Sequence, residues 1–294
     1  MRLAALYGPD GDSSSLHLEV DGGYVSVDAL AAARGRPRLR GMADAGELFR
    51  RGEQVISELR GIDASAVPRV ASADARLAPP VRRPGKIVCV GLNYLAHIEQ
   101  SRLSRPGHTV LFSKFASCLV ATGEPVVAPS ITSKLDYEGE LAVVMGRTAR
   151  CVEAASASGH VGGYTIINDI SARDLQIAEP QWIRGKSLDT FAPLGPVVVD
   201  AAAAPPIDAM RIRTYVNGEL RQDAPCSLMI MGVPELIAHI SAWITLEPGD
   251  IIATGTPSGV AAEMDSPVFM SDGDVVEVDI TGIGRLRNPV VAAP

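Results

Sequence analysis

Five apolar residues in a row, Leu141-Ala142-Val143-Val144-Met145, follow directly on Glu138-Gly139-Glu140. A short apolar, partly β-branched run predicts a buried strand, so the core is expected to be built on a sheet. Side chains alternate along a strand, which puts Glu138 and Glu140 on one face and Gly139 on the other. Asp136 continues the same period-2 series. Two carboxylates on one face of an apolar element repel each other and lose hydration. Two readings stay open: a cation sits between them, or they are ordinary solvated strand residues. Ligands that are all oxygen select a hard ion such as Mg²⁺, and Asp169, at the end of the next apolar segment (164–170), is the third candidate ligand.

The 294 residues suffice for one large domain and a smaller one. The net charge of −7, with acidic and basic residues well mixed, argues against electrostatic binding to nucleic acid or an anionic membrane. Small anionic substrates stay open, because local arginines and a metal override a modest global charge. No window approaches the roughly 18 uninterrupted apolar residues of a membrane span, and the first residues lack the apolar run of a signal peptide. Cys89, Cys118, Cys151 and Cys226 are scattered without a C-x-x-C pair. They are expected to be reduced, mostly buried thiols of a cytoplasmic protein.

Residues 1–62 read as a small N-terminal domain, with strands near 3–6, 16–20 and 24–27 and a helix over 45–59. Residues 63–84, rich in Ala, Arg and Pro, read as a linker, and 85–294 as the main domain. That domain opens on a buried strand, 86–90, after which Asn93 is placed to cap a helix. Asn217-Gly218 between two alternating segments is the strongest hairpin signal. Residues 234–243 predict a helix with Leu236, Ile237, Ile240 and Trp243 on a core face. The fold class is mixed α+β, rich in strands.

Several separated stretches together resemble the fumarylacetoacetate hydrolase family. They are Gly91-Leu92-Asn93-Tyr94-x-x-His97, Leu111-Phe112-Ser113-Lys114, Asp136-Tyr137-Glu138-Gly139-Glu140-Leu141 and Gly163-Tyr164-x-x-x-Asn168-Asp169-x-Ser171-Ala172-Arg173-Asp174-Leu175-Gln176. Lys186-Ser187-x-Asp189-Thr190-Phe191-Ala192-Pro193-Leu194-Gly195-Pro196 and the segment from Leu246 through Thr254-Gly255-Thr256-Pro257 to Val260 follow in the expected order. The resemblance covers about residues 86 to 290 of this sequence. It implies a mixed β-sandwich roll with a small N-terminal domain, a homodimer, and Mg²⁺ or Mn²⁺ held by Glu138, Glu140 and Asp169. It also implies 2-oxo or β-diketo acid substrates that undergo C–C hydrolysis, decarboxylation or keto–enol isomerisation.

The same resemblance places Lys186 in the pocket as a donor or proton carrier, against its bland reading as an exposed turn lysine. Arg173 is expected to clamp a substrate carboxylate and Gln176 to orient a carbonyl, both on one helical face with Asp169. Tyr137 and Thr256 are candidate substrate contacts, with a core tyrosine and a plain turn residue as the respective alternatives. Asp136 is read as positioning a ligand or bound water, and Asp174 as making a local structural hydrogen bond. His97 is the candidate base, but hydrolytic members pair this histidine with a glutamate three residues later, and Gln100 stands there. An amide neither accepts a proton nor supplies charge, so His97 works alone or with another carboxylate. Residues 101–108 are the candidate lid, with a plain surface loop as the alternative.

The expected activity is therefore metal-dependent C–C hydrolysis of an acylpyruvate or fumarylacetoacetate-like acid. The alternative is oxaloacetate-type tautomerisation or decarboxylation, which needs no activated water. A catalytically silent binding module is the reading from a different class.

Overall fold

The computed structural model describes residues 1–65, 67–101 and 108–293. The strand expected after Glu138 is Gly139–Met145, and all of its residues are buried. It lies in a twelve-stranded sheet between two antiparallel neighbours, Val161–Asn168 and Ile251–Ala253. Ile87–Gly91 and Val110–Lys114 extend the sheet to one edge, and Ala192–Asp200 and Arg2–Tyr7 extend it the other way. Strand alternation explains why the run is apolar throughout. Leu141, Val143 and Met145 enter a cluster with Ile212, Ile237 and Ile240 on one face. Ala142 and Val144 enter another with Leu3, Leu48, Phe49 and Leu59.

A five-stranded sheet packs against the first. Its hairpin, Arg211–Val216 and Glu219–Pro225, turns through Asn217 and Gly218 at φ +52° and +79°. Two left-handed residues in succession make the type I′ turn that an Asn-Gly pair favours. The sheets meet most closely at Gly139, where a Cβ would lie 2.3 Å from Thr214 Oγ1 and 2.9 Å from Val278 Cγ1. Only glycine lets the acidic strand come so near, and that approach positions Glu138 and Glu140 on its other face.

The N-terminal segment feeds the same sheet. Arg2–Tyr7 pairs with Ala192–Asp200 in the register Arg2 to Val199 and Leu3 to Val198. Residues 63–84 add two short strands, Arg69–Ala71 on Gly23–Ser26 and Leu77–Ala78 on Arg2–Tyr7. No helix among the described residues is long and apolar enough to cross a membrane.

Three local expectations are corrected. The helix over 45–59 is two helices, Ala45–Arg50 and Glu53–Arg60, because Gly52 takes φ +86°, outside helical space. Trp243 is 79% exposed, since the helix Val233–Ser241 ends before it. Asn93 does not cap the helix Leu95–Ser101. Its amide instead donates to the carbonyls of Met231 (3.0 Å) and Thr254 (2.8 Å) and accepts from Met231 N–H (2.9 Å).

Candidate active site

Glu138, Glu140 and Asp169 offer carboxylate oxygens that lie within 4.8 Å of one another, all three buried. Their convergence is built by the backbone. Glu138 C=O accepts from Asp169 N–H at 2.8 Å, and Glu138 N–H donates to Asn168 Oδ1 at 3.0 Å. Glu140 follows two residues on, on the same face of the strand. Gly255, at φ +98°, aims its N–H at Glu140 Oε2 at 2.8 Å. A left-handed residue was needed to turn that donor inward, and a glycine supplies it.

Three cations face this cluster. Lys186, at the end of the short helix Ile183–Lys186 and 1% exposed, donates to Glu138 Oε2 at 2.8 Å and Asp169 Oδ2 at 2.7 Å. Its ammonium also lies 5.1 Å from the ring centre of Phe112. Lys114, equally buried, donates to Asp169 Oδ1 at 2.5 Å, to Ile170 C=O at 3.0 Å and to Lys186 C=O. Arg173 pairs through Nε with Asp136 at 2.8 Å and through Nη1 with Glu138 Oε1 at 2.6 Å. Asp136 also accepts backbone N–H groups from Tyr137, Ala261 and Ala262. Four buried carboxylates thus meet three buried cations, and one negative charge is left over.

The acid left without a counter-ion is Glu140, which therefore holds its proton more tightly. Burial, with Asp169 and Glu138 adding repulsion, holds its carboxyl well above the usual range. For Glu138 burial acts in the same direction but is outweighed by Lys186 and Arg173, and the net shift is downward. Lys186 and Arg173 are each raised, since neighbouring carboxylates outweigh the cost of burying the cation. Among the described residues Glu140 has no cationic partner, whereas Glu138 and Asp169 do. A hard divalent ion fits this all-oxygen set, because it would offset the mutual repulsion of the three converging carboxylates.

The site opens into a cavity of about 80 Å³ lined by Glu138, Glu140, Arg173, Gln176, Lys186 and Thr256, with His97 and Glu263 at its side. A larger groove of about 500 Å³, along residues 84–88 and 111–116, is mostly apolar. We assign chemistry to the smaller space, where the titratable groups are.

Seven of the residues singled out in the sequence therefore border one cavity, and Asp169 lies buried beneath it. Tyr137 does not line it. The tyrosine lies between the strands Leu135–Asp136 and Gly139–Met145, joins Leu135, Ile170 and Phe191 in a third apolar cluster and donates to Gly259 C=O at 3.0 Å. The helical-face rationale for Asp169, Arg173 and Gln176 is also corrected. Residues 171–172 form a strand with 135–136, and the helix begins only at Arg173. Arg173 and Gln176 do meet at i, i+3, with Nη1 donating to Gln176 Oε1 at 3.0 Å. Nη2 of Arg173 is buried without a partner, a donor held ready beside the acids. Thr256 donates to Gly139 C=O at 2.9 Å and accepts from Gln222, so it braces the acidic strand as well as bordering the cavity. Asp174 accepts from Thr132 and Ser133, a local role as expected. Most of the candidate lid, residues 102–107, lies outside the described residues.

Two residues that the fold brings to the site were missed. Lys114 stands in a quoted motif, at the inner end of its strand, and only its burial reveals a role. Glu263 lies 166 residues from His97, and no local pattern points to it, yet its Oε2 is 2.9 Å from His97 Nδ1.

With this geometry in hand, known proteins supply a context. The family model of the C-terminal part of fumarylacetoacetate hydrolase matches residues 86–291. The mitochondrial oxaloacetate tautomerase FAHD2B of Bos taurus is 36% identical over 99% of this chain and 92% of its own length. Oxaloacetate tautomerase YisK of Bacillus subtilis (strain 168) is 45% identical over 74% of both chains. The solved fumarylacetoacetate hydrolase of the psychrophile Exiguobacterium antarcticum is 39% identical, with a TM-score of 0.86 over the full length of both chains.

Proposed function

The chain belongs to the fumarylacetoacetate hydrolase family, and from that premise we propose that it is a divalent-metal-dependent tautomerase of oxaloacetate-type 2-oxo acids. The observation that carries this reading is the meeting of Glu138, Glu140 and Asp169, one charge short of neutrality, beside Lys186 and the unpartnered Nη2 of Arg173. Glu138, Glu140 and Asp169 would hold Mg²⁺ or Mn²⁺, which would supply Lewis acidity to a substrate oxo group.

The protein's own groups do the rest. Lys186 spends two of its three N–H donors on Glu138 and Asp169, and the third is directed to the substrate oxygen that gains charge. Arg173 offers Nη2 to a substrate carboxylate, while Asp136 and Glu138 hold its other donors and fix the plane of the fork. Gln176 orients that same guanidinium. His97 carries the proton between the carbon and the oxo oxygen. Lys114 holds Asp169 in place from behind.

Hydrolysis of a C–C bond in an acylpyruvate or fumarylacetoacetate-like acid is the second reading. It is supported by the likeness to the Exiguobacterium hydrolase and by a histidine–carboxylate pair at the cavity able to activate water. One experiment separates them: the ultraviolet absorbance of enol-oxaloacetate, the cleavage of an acylpyruvate and the release of CO₂ from oxaloacetate are followed with Mg²⁺, Mn²⁺ or chelator. We expect metal-dependent loss of the enol signal to be fastest. Faster cleavage of the acylpyruvate would reverse the order of the two readings. No turnover in any assay, with no metal binding, would leave a silent binding module.

We further propose a homodimer working in the cytoplasm, with 1–62 as a small N-terminal domain, 63–84 as the connector and 85–294 as the catalytic part. The edge strand Val110–Lys114 and half-exposed Phe115 beside the larger groove support a partner surface, which sedimentation would test.

A further inference from the structure

We propose that Gln222, on a strand of the second sheet, is a positioning residue for the acidic cluster and makes it selective for a small, geometrically exacting ion such as Mg²⁺. The inference rests on the metal-dependent reading given above and goes beyond it by naming what keeps the ligands from spreading.

Gln222 reaches the acids because its strand is irregular. In the hairpin of Arg211–Val216 and Glu219–Pro225, Thr214 stands opposite Gln222 and Tyr215 opposite Leu220, so Arg221 is an extra, bulged residue. On a regular strand Leu220 and Gln222 would share a face. The bulge breaks that alternation, and Leu220 is 48% exposed while Gln222 is 1% exposed. An apolar side chain is turned out and an amide is turned in, beside Thr214, where the two sheets come closest at Gly139.

There the amide completes a closed, buried ring. Gly139 N–H donates to Gln222 Oε1 at 3.0 Å, Gln222 Nε2 donates to Thr256 Oγ1 at 2.8 Å, and Thr256 Oγ1 donates to Gly139 C=O at 2.9 Å. Nε2 spends its second hydrogen on Pro257 C=O, also at 2.8 Å. Strand pairing explains why side chains have this task. Ala142 stands opposite Ala253, Leu141 C=O accepts from Thr254 N–H, and the chain then turns away at Gly255. Two residues along the acidic strand, Gln222 and Thr256 hold the backbone of Gly139 where a neighbouring strand would otherwise do so.

Gly139 is the residue between Glu138 and Glu140. The ring therefore fixes the backbone on which both acids are mounted, while Asn168 and Asp169 hold the N–H and C=O of Glu138. The bond to Pro257 also steadies the turn whose Gly255 N–H meets Glu140 Oε2. Mg²⁺ demands near-ideal octahedral geometry at roughly 2.0–2.1 Å, whereas Ca²⁺ accepts irregular shells at roughly 2.3–2.6 Å. A stiff mount favours the smaller ion, so loosening it should cost Mg²⁺ more than Ca²⁺.

The test measures Mg²⁺ and Ca²⁺ affinity by titration calorimetry, without substrate, in the parent, Gln222→Met and Gln222→Asn. Methionine keeps the bulk and removes the ring, and asparagine keeps an amide one methylene too short to close it. For Gln222→Met we expect the Mg²⁺ Kd to rise about 10- to 100-fold and the Ca²⁺ Kd less than about threefold. Gln222→Asn should move Mg²⁺ the same way, by at least about threefold, and supplies the answer where methionine prevents folding. Hydrogen exchange of the segment 137–140, read by mass spectrometry in chelator, should quicken several-fold in either variant. A folded variant with the parental Mg²⁺ Kd would overturn the positioning role. Equal losses for both ions would overturn the selectivity and leave Gln222 a prop of the fold alone. A parent that binds neither ion would instead sink the metal-dependent reading, and exchange at 137–140 would then decide by itself whether Gln222 holds the acidic strand.

Discussion

Replacing Glu140 by glutamine separates the cost of the acidic cluster from its use. Glu140 is buried, and among the described residues it lacks a cationic partner and accepts one N–H, from Gly255. A glutamine keeps that acceptor and can donate to Asp169 or Glu138, so Glu140→Gln should cost less than about 1 kcal/mol in chelator. Its effect should depend on pH in a defined direction. The folded chain holds the Glu140 proton above the ordinary value of 4.5, where the unfolded chain has released it. Stability of the parent therefore falls as pH rises past that value, by at most about 1.4 kcal/mol per unit from this one group. Glu140→Gln removes the term, so it should become the more stable protein as pH climbs toward 7. Mg²⁺ should invert the ranking. At about 100 times Kd the parent gains roughly 2.7 kcal/mol, and a variant weakened 100-fold gains only about 0.4 kcal/mol. At about 2 °C per kcal/mol for a chain of this size, the metal-induced shifts are roughly 5 °C and 1 °C. Melting by calorimetry or fluorescence, from pH 5 to 8 with chelator or Mg²⁺, reads both arms. Equal metal shifts in the two proteins would refute the assignment of Glu140 as a ligand, and a large loss of stability in chelator would refute the charge accounting.

Other perturbations probe the supports. Lys114→Met leaves Asp169 short of a buried partner, a loss of about 3–5 kcal/mol, so melting in chelator should fall by roughly 6–10 °C; a drop under about 2 °C would mean that Lys114 is not compensating that charge. Arg173→Lys removes the donor Nη2, and the loss of a charged hydrogen bond of about 1.5–3 kcal/mol should raise KM for a dicarboxylate some 10- to 100-fold. An unchanged KM would take Arg173 out of substrate binding. Gly185→Ala places a Cβ 2.5 Å from Gln176 N and 2.6 Å from its Cα. The helix bearing Lys186 must then back away from the helix bearing Arg173, at about 1–3 kcal/mol and with a fall in kcat that steady-state kinetics would detect.

What the sequence makes legible here is what repeats or turns locally. The alternation at Glu138 and Glu140, the Asn217-Gly218 hairpin and the burial of residues 141–145 follow from side-chain period and backbone sterics. Residues whose role depends on distant partners are harder. Tyr137 reads from its neighbours as a site residue or a core residue, and only its packing with Leu135, Ile170 and Phe191 decides for the core. Asn93 carries the composition of a cap, yet its amide is consumed by strands and loops more than 130 residues away. Lys114 and Glu263 reach the site only when the sheet closes and the 261–263 turn folds over Asp136. The absence of an acid at position 100 was visible, while the contact of Glu263 with His97 was not, because nothing along the chain links residue 97 to residue 263.

The pairing of Arg2–Tyr7 with Ala192–Asp200 has a bearing on how this enzyme can be shortened or recombined. Hydrogen-bonded rungs run unbroken from the chain's first strand to the one that bears the acids, and Leu3, Leu48 and Phe49 share their oil with Ala142 and Val144. Trimming the front third would strip a flank off an inner strand and lay that oily face bare to solvent. Such a fragment would be drawn to other copies of itself, strand against strand, before it could act as a freestanding catalyst.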